Sequence, residues 1–293
     1  MTIVDTSMQV RYISNGISYI LNGFDSVSGF TFNYLGDQGF GLAPMHRITT
    51  RGPLQQGDSD IDFRLDPRVL QLPLVVANTS SAGKRWYHYQ IRERLLEIFQ
   101  PQYSGVLQLT VLGLNGASAV DYERRINVNV LGGLSFDVDP SNYNVRTVVQ
   151  LRASDPTWYE SSYPSGNRFV VNYVTANING SQVLSVGGNW WTYPIIRLFG
   201  PITNPVITNS TTGQSITFTG TISAGAYYDI DLEYGKKTVV DNLGVNRIST
   251  VSSASAFATW SLGPSNNTIA ITGTGTTAAT NAVFNFFYRY TGI

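Results

Sequence analysis

Carboxylates separated by a single residue occur four times in the sequence. They are Asp58, Asp60 and Asp62; Asp121 and Glu123; Asp137 and Asp139; and Asp229, Asp231 and Glu233. On a β-strand this spacing places carboxylates on one face, which a calcium site or a glycosidase pair could use. The same residues alternate with apolar ones, as the solvent side of a half-buried strand requires, and none has EF-hand spacing. We therefore predict solvent-facing carboxylates and no metal site.

The other groups that could do chemistry lack recognisable partners. His46 and His88 are the only histidines, and neither belongs to a zinc-binding or catalytic-triad pattern. The glycine-rich residues 36–41 form neither a Walker loop nor a dinucleotide fingerprint, because no strand-to-helix unit follows them. The sequence predicts no enzymatic activity, no catalytic residue and no cofactor.

Two further groups are candidates for binding. Trp190, Trp191 and Tyr193 form an aromatic cluster that could stack on sugar rings. Residues 190 and 191 point to opposite faces of an extended segment, so the possible glycan platform is Trp191 with Tyr193. Core packing is the alternative that we favour for these rings.

Residues 36–57 form a long, glycine-rich stretch without clean periodicity. A loop of this length is either functional or disordered. It carries Phe40, Leu42, Met45 and Ile48 in no pattern that would bury them locally. We interpret these four side chains as anchors in the subunit interface of an oligomer.

The composition of the chain disfavours several classes of protein. The 293 residues carry 19 basic and 19 acidic side chains, which disfavours general attraction to nucleic acid and attachment to anionic membranes. The sequence has no Cys, which excludes disulfides. No apolar stretch reaches the ~18 residues of a membrane span, and the N-terminus shows no secretory signal, so we expect cytoplasmic synthesis. Aromatic residues are abundant and lysine occurs only at positions 84, 236 and 237, which is typical of surfaces that partners cover. A codon bias toward arginine is the alternative explanation.

The elements that would position these residues are mainly β. Alternation predicts half-buried strands at residues 30–34, 60–65 and 126–130, and continuous apolar runs predict strands covered on both faces at 69–76, 106–112 and 144–151. Spacings of three and four over residues 83–99 predict one amphipathic helix. The second half lacks a helical stripe and is interpreted as a β-sandwich, with apolar residues alternating most clearly over residues 228–234 and 284–290. We predict two domains, residues 1–160 and 161–293, with a seam at 161–167.

The order of these elements resembles the distal tail proteins of long-tailed (siphovirus) bacteriophages. Residues 60–63 (Asp-Ile-Asp-Phe) and 69–76 are similar to the family's strand pair before its helix, and residues 91–101 to its helix end. Residues 201–205, 230–239 and 267–271 are similar to strands of its galectin-like domain. The resemblance covers residues 20–293, and it depends on the order of the motifs.

The resemblance implies a barrel-like or sandwich N-terminal domain with one α-helix and a galectin-like C-terminal β-sandwich that projects outward. It implies a hexameric homo-oligomeric ring at the distal end of the virion tail, with residues 36–57 as ring-forming arm. Partners would be the tail tube protein and tail-tip or receptor-binding proteins, with DNA only in transit through the lumen and no membrane insertion. The protein would be made in the host bacterial cytoplasm. A tail-tube-like subunit and a free-standing carbohydrate-binding protein are the alternatives.

Overall fold

A computed structural model describes residues 8–36, 38–77, 84–112, 120–138, 144–160, 168–173 and 178–293. The chain divides into a first unit, Met1–Tyr159 with Thr291–Ile293, and a second unit, Glu160–Tyr290. The predicted seam at 161–167 lies outside the described residues. Thr291–Ile293 join the first unit, which the predicted boundaries did not anticipate. That the units are separate folding domains stays a prediction.

The first unit consists of strands and one α-helix. Its elements are β1 (Met8–Ser14), β2 (Ile17–Ile20), β3 (Gly23–Asp25), β4 (Phe30–Tyr34), β5 (Met45–Thr50), β6 (Ser59–Leu65), β7 (Arg68–Ala77), α1 (Lys84–Ile98), β8 (Gly105–Leu112), β9 (Val120–Gly133), β10 (Asp137–Val138), β11 (Val145–Ala153) and β12 (Trp158–Glu160), whose last residue begins the second unit. Eight strands pair antiparallel in the order β2-β1-β8-β9-β11-β7-β4-β3. They form a nearly closed, barrel-like sheet.

Helix α1 occupies residues Lys84–Ile98, as the periodicity predicted. Ile91, Leu95 and Ile98 are buried at spacings of four and three, so the apolar stripe faces the core of the first unit. Pro101 follows shortly after the end of the helix and cannot continue it. Among the described residues, no helix is long and apolar enough to cross a membrane.

Strands β7 and β11 are buried on one face, so the prediction that both faces are covered is wrong for them. Burial alternates along each strand: Leu70 and Leu72 are buried in β7, whereas Val69 is exposed, and Val148 of β11 is also exposed. Apolar residues on the outer face of an antiparallel sheet produce the same continuous apolar run as a doubly covered strand. Strand β8 is buried on both faces over residues 107–110.

The second unit is a sandwich of two five-stranded antiparallel sheets. Its strands are β13 (Phe169–Tyr173), β14 (Gly180–Val186), β15 (Ile195–Phe199), β16 (Ile202–Asn209), β17 (Gln214–Thr217), β18 (Thr221–Ile222), β19 (Tyr227–Asp231), β20 (Thr238–Asp241), β21 (Ser265–Thr274), β22 (Asn281–Phe286) and β23 (Tyr288–Tyr290). One sheet has the order β13-β22-β15-β19-β20; in the other, β14-β21-β16-β17, strand β18 also pairs with β16. The predicted mainly β fold with a C-terminal sandwich is confirmed.

The core of the second unit fills the space between its two sheets. Alternate residues of facing strands point inward, as the sequence pattern predicted for residues 230 and 232 and for residues 284 and 286. Fully buried members include Leu198, Ile207, Phe218, Ile230, Leu232, Trp260, Ile269, Phe284 and Phe286. These side chains hold the second unit together.

Candidate functional site: an exposed hairpin of the first unit

Strands β5 and β6 form a two-stranded hairpin, residues 45–65, that we call the arm from here on. It shares only residues 45–57 with the stretch 36–57 that the family resemblance assigned to a ring-forming arm. Their antiparallel register pairs Met45 with Leu65 and Thr50 with Ser59. The Asp66 amide donates to the Pro44 carbonyl at 2.8 Å and closes the hairpin at its base. Every residue of β5 and β6 is exposed except Leu65, which is half-buried. The prediction of a half-buried strand at residues 60–65 is therefore wrong in its burial.

Four apolar side chains of the arm are substantially exposed to solvent. The exposed fractions are Met45 43%, Ile48 41%, Ile61 64% and Phe63 39%. Because Phe63 pairs with Arg47, two residues after Met45, one face of the hairpin carries Met45 and Phe63, and Ile61 lies at a shift of the register opposite Ile48 and Thr49. Ile48 pairs with Asp62 and lies on the opposite face. A two-stranded hairpin is marginally stable in water on its own, so this apolar face calls for a covering surface.

Phe40 does not belong to this exposed surface. It is 2% exposed, and its ring centroid lies 6.1 Å from that of Tyr34 and 5.2 Å from that of Trp158. The interface role predicted for Phe40 therefore conflicts with its place in the core of the first unit. Trp158 lies far along the chain, and local spacing could not reveal its contact. Leu42, by contrast, is exposed.

Several of the closely spaced carboxylates that the structure describes form ion pairs. The Asp60 carboxylate lies 3.0 Å from the Arg47 guanidinium, and Asp229 accepts two hydrogen bonds from Arg197 at 2.7 and 2.8 Å. Within the described parts of the chain, no group of three or more His, Asp or Glu could hold a metal ion. Asp139 and the side chains of Asp121 and Asp137 lie outside the described set.

Glu123 departs from the predicted solvent-facing position. It is buried, accepts a hydrogen bond from Gln108 at 3.1 Å, and lies 2.8 Å from the Arg125 Nε. Strand β8 covers it with polar side chains, so alternation with apolar neighbours did not imply exposure. The group is a structural ion pair.

The two histidines lie in different surroundings. His46 lies on the exposed arm. His88 is buried in α1, where burial, with the nearby Arg92 charge, lowers the pKa of its imidazole. His46 and His88 thus lie on separate elements.

The two residues of the possible glycan platform contact different neighbours. The exposed Trp191 ring meets Trp190 edge-on with ring centroids 4.9 Å apart. Tyr193 contacts Tyr234, with centroids 4.4 Å and hydroxyl oxygens 2.8 Å apart, and the Lys237 Nζ lies 4.9 Å from the Tyr193 ring centroid. The contacts of the Tyr193 ring are those of aromatic packing. A glycan role for Trp191 and Tyr193 stays a prediction.

The pH dependence of the second unit should reflect Glu233. Burial raises the pKa of this carboxyl, but hydrogen bonds donated by Arg168 and Lys236 outweigh burial, so the pKa lies below its usual value of 4.5. Such a carboxylate stabilises the fold above its unfolded pKa and loses that contribution as the pH falls through the folded pKa. We expect Glu233→Gln to destabilise the second unit at about pH 6 and to destabilise it less at about pH 3.

Urea unfolding of the second unit, followed at both pH values, measures this difference. The control is Glu93→Gln, which changes an exposed carboxyl of α1 and should leave the pH dependence of the second unit as it is. An equal loss of stability by Glu233→Gln at both pH values would contradict the prediction.

Comparisons with known proteins found a matching family model and similar solved structures. The family model described as the siphovirus-type tail component, C-terminal domain, matches residues 187–290. Among solved structures, the chain is similar to the Dit protein of phage SPP1, described as a paradigm of hub adsorption apparatus in phages that infect Gram-positive bacteria. Identity is 10%, the TM-score is 0.62, and the alignment covers 96% of this chain and 98% of that one, which shows the shared fold.

A second solved structure is more distant. It is the baseplate of phage P2 in its activated conformation with Ca, at 9% identity, a TM-score of 0.48, and coverage of 98% of this chain and 99% of that one. No curated protein matches the chain.

The family match covers residues 187–290 and supports a class of protein, the structural components of a phage tail or baseplate. With the full-length similarity to the fold of SPP1 Dit, it supports the distal tail protein family that the order of motifs predicted. The family is structural, and the absence of catalysis in this chain stays a prediction.

Proposed function

We propose that the first unit forms a closed hexameric ring with its own copies at the distal end of the tail. The ring would join the tail tube to the receptor-binding apparatus, and the second unit would project outward. The observation that carries the proposal is the arm, whose apolar side chains are exposed on both faces. The number six comes from the family resemblance.

The arm suits a contact between copies. Covering Met45, Ile61 and Phe63 removes apolar surface from water, at roughly 25 cal/mol per Å². Residues 45–65 carry three arginines and three aspartates, so the arm brings no net charge into a contact. An arm that docks on a different surface of the next copy makes a head-to-tail contact, and such contacts close into a ring when the rotation allows.

The mass of the particle in solution tests the ring. We expect light scattering to give a hexamer for the unmodified chain and a folded monomer for Ile61→Asp with Phe63→Asp, because burying two charges in the contact is costly. The control is Val170→Asp with Val183→Asp, which makes the same change at exposed positions of the second unit and should preserve the hexamer.

Other outcomes separate the alternatives. A hexamer formed by the arm variant would exclude the arm as the contact. A monomeric unmodified chain would favour a free-standing binding protein. Long tubes in electron micrographs would favour a tail-tube-like subunit.

A further inference from the structure

Residues Thr291–Ile293 lie beside the segment that leads into the arm. We call that segment, residues 39–43, the arm base. The Ala43 amide donates to the Thr291 carbonyl at 3.2 Å, and the Ile293 amide donates to the Phe40 carbonyl at 3.1 Å. Two backbone hydrogen bonds therefore join the arm base to residues that follow it by about 250 positions.

The Arg68 side chain donates hydrogen bonds to both of these segments. Its side chain is 1% exposed. One guanidinium nitrogen donates to the carbonyls of Gly39, Phe40 and Gly41 at 3.1, 3.3 and 2.8 Å, and the other donates to the carbonyl of Thr291. Burial lowers the pKa of Arg68 to about 10, and the negative charge of Asp155 acts against that lowering, so the group is a cation at neutral pH. A single buried cation thus satisfies carbonyls from both segments.

Gly292 allows the close approach. A Cβ at this position would lie 2.6 Å from the Gly41 oxygen and 2.7 Å from the Gly41 carbonyl carbon, both backbone atoms. No side chain fits there unless the segments separate. The contact depends on the absence of a side chain at residue 292.

We infer that Thr291–Ile293 act as a clamp that fixes the arm base and thereby sets the direction in which the arm leaves the first unit. Ala43 is the last clamped residue, and the closure between Pro44 and Asp66 follows immediately, so little free chain lies between clamp and arm. The role in assembly rests on the proposed ring. The clamp itself is a property of the single chain.

The test is Gly292→Ala in the full chain, with Gly41→Ala as the matched control. A Cβ at Gly41 would meet nothing within 4 Å, so the control places a methyl group on the opposing segment without a clash. Each change is also combined with Ile61→Asp and Phe63→Asp, which should keep the chain monomeric. Hydrogen exchange in these combined variants then reports on the clamp without protection by a ring.

Hydrogen exchange at the Ala43 and Ile293 amides measures the clamp. We expect Gly292→Ala to speed exchange at these amides about tenfold and to speed tryptic cleavage after Arg47 and Arg51 similarly, with strands β7 and β11 still protected. Gly41→Ala should change neither. Without the arm substitutions, Gly292→Ala should also lower the fraction of hexamer at a given concentration.

Three results would overturn the inference. They are unchanged exchange at both amides, the same change in Gly41→Ala, and loss of protection throughout the first unit, which would mean a general structural role. Should Gly292→Ala unfold the first unit, deletion of residues 292 and 293 provides the second variant. It removes the hydrogen bond from Ile293 and keeps the bonds to the Thr291 carbonyl, so faster tryptic cleavage after Arg47 and Arg51 is its readout. If the Ala43 and Ile293 amides exchange as expected but the unmodified chain is not a hexamer, the proposed ring is refuted and the clamp is not. If the unmodified chain is a hexamer but these amides do not respond to Gly292→Ala, the clamp is refuted and the ring is not.

Discussion

Phe40→Asp is expected to unfold the first unit. Phe40 packs between Tyr34 and Trp158 with almost no exposed surface. A carboxylate there would be buried beside two aromatic rings, and burial of an unpaired charge costs several kcal/mol. We expect the first unit to lose more than about 4 kcal/mol of unfolding free energy.

Thermal unfolding followed by circular dichroism measures this loss. Leu42→Asp is the control, because Leu42 is 65% exposed and its substitution should change the stability of the monomer by no more than about 0.5 kcal/mol. Equal stability of the two variants would mean that Phe40 is not in the core. The Leu42 variant also tests the interface role that residues 36–57 were predicted to have.

Arg68→Met should have the second largest effect. The substitution keeps an apolar stem and removes the donors that satisfy carbonyls at residues 39, 40, 41 and 291. Removing one partner of a buried charged network costs about 3 to 5 kcal/mol, because the remaining polar atoms stay buried without partners. We expect the first unit to unfold at lower temperature and the second unit to unfold as before.

Scanning calorimetry of the full chain resolves this prediction. The control is Arg64→Met, since the Arg64 side chain is 68% exposed and its ion pair with Asp66 spans 3.7 Å. Exposed pairs contribute about 0 to 1 kcal/mol. If the Arg68→Met variant were as stable as the unmodified protein, the Arg68 network would contribute no net stability.

Local patterns in the sequence predicted the elements better than their surroundings. The spacing of Ile91, Leu95 and Ile98 predicted α1, and alternation around Ile230 and Phe284 predicted strands of the sandwich, because both periodicities follow from backbone geometry. Alternation at residues 60–65 predicted β6 but not its exposure. A strand's two faces differ in polarity whether the apolar face meets its own core or another molecule.

Contacts between distant residues account for what the sequence did not reveal. Phe40 and Leu42 belong to the same glycine-rich stretch, but Phe40 packs against the rings of Tyr34 and Trp158 in the core, whereas Leu42 is exposed. The sequence did not reveal the role of Arg68, since the Thr291 carbonyl to which it donates lies 223 positions away. Ile61 and Phe63 would have been recognised as arm residues only by asking whether any other element could cover β6.

The position of the clamp in the chain has a consequence for biosynthesis. A ribosome makes residues 1–159 first, then the whole second unit, and Thr291–Ile293 only afterwards. The arm base therefore acquires these backbone partners after all of the sandwich has been made. Any polypeptide released before residue 291 lacks them, however well its strands have folded. Copies cut short by premature termination would thus keep the bonds from Arg68 to the arm base but lack its two backbone hydrogen bonds to Thr291 and Ile293.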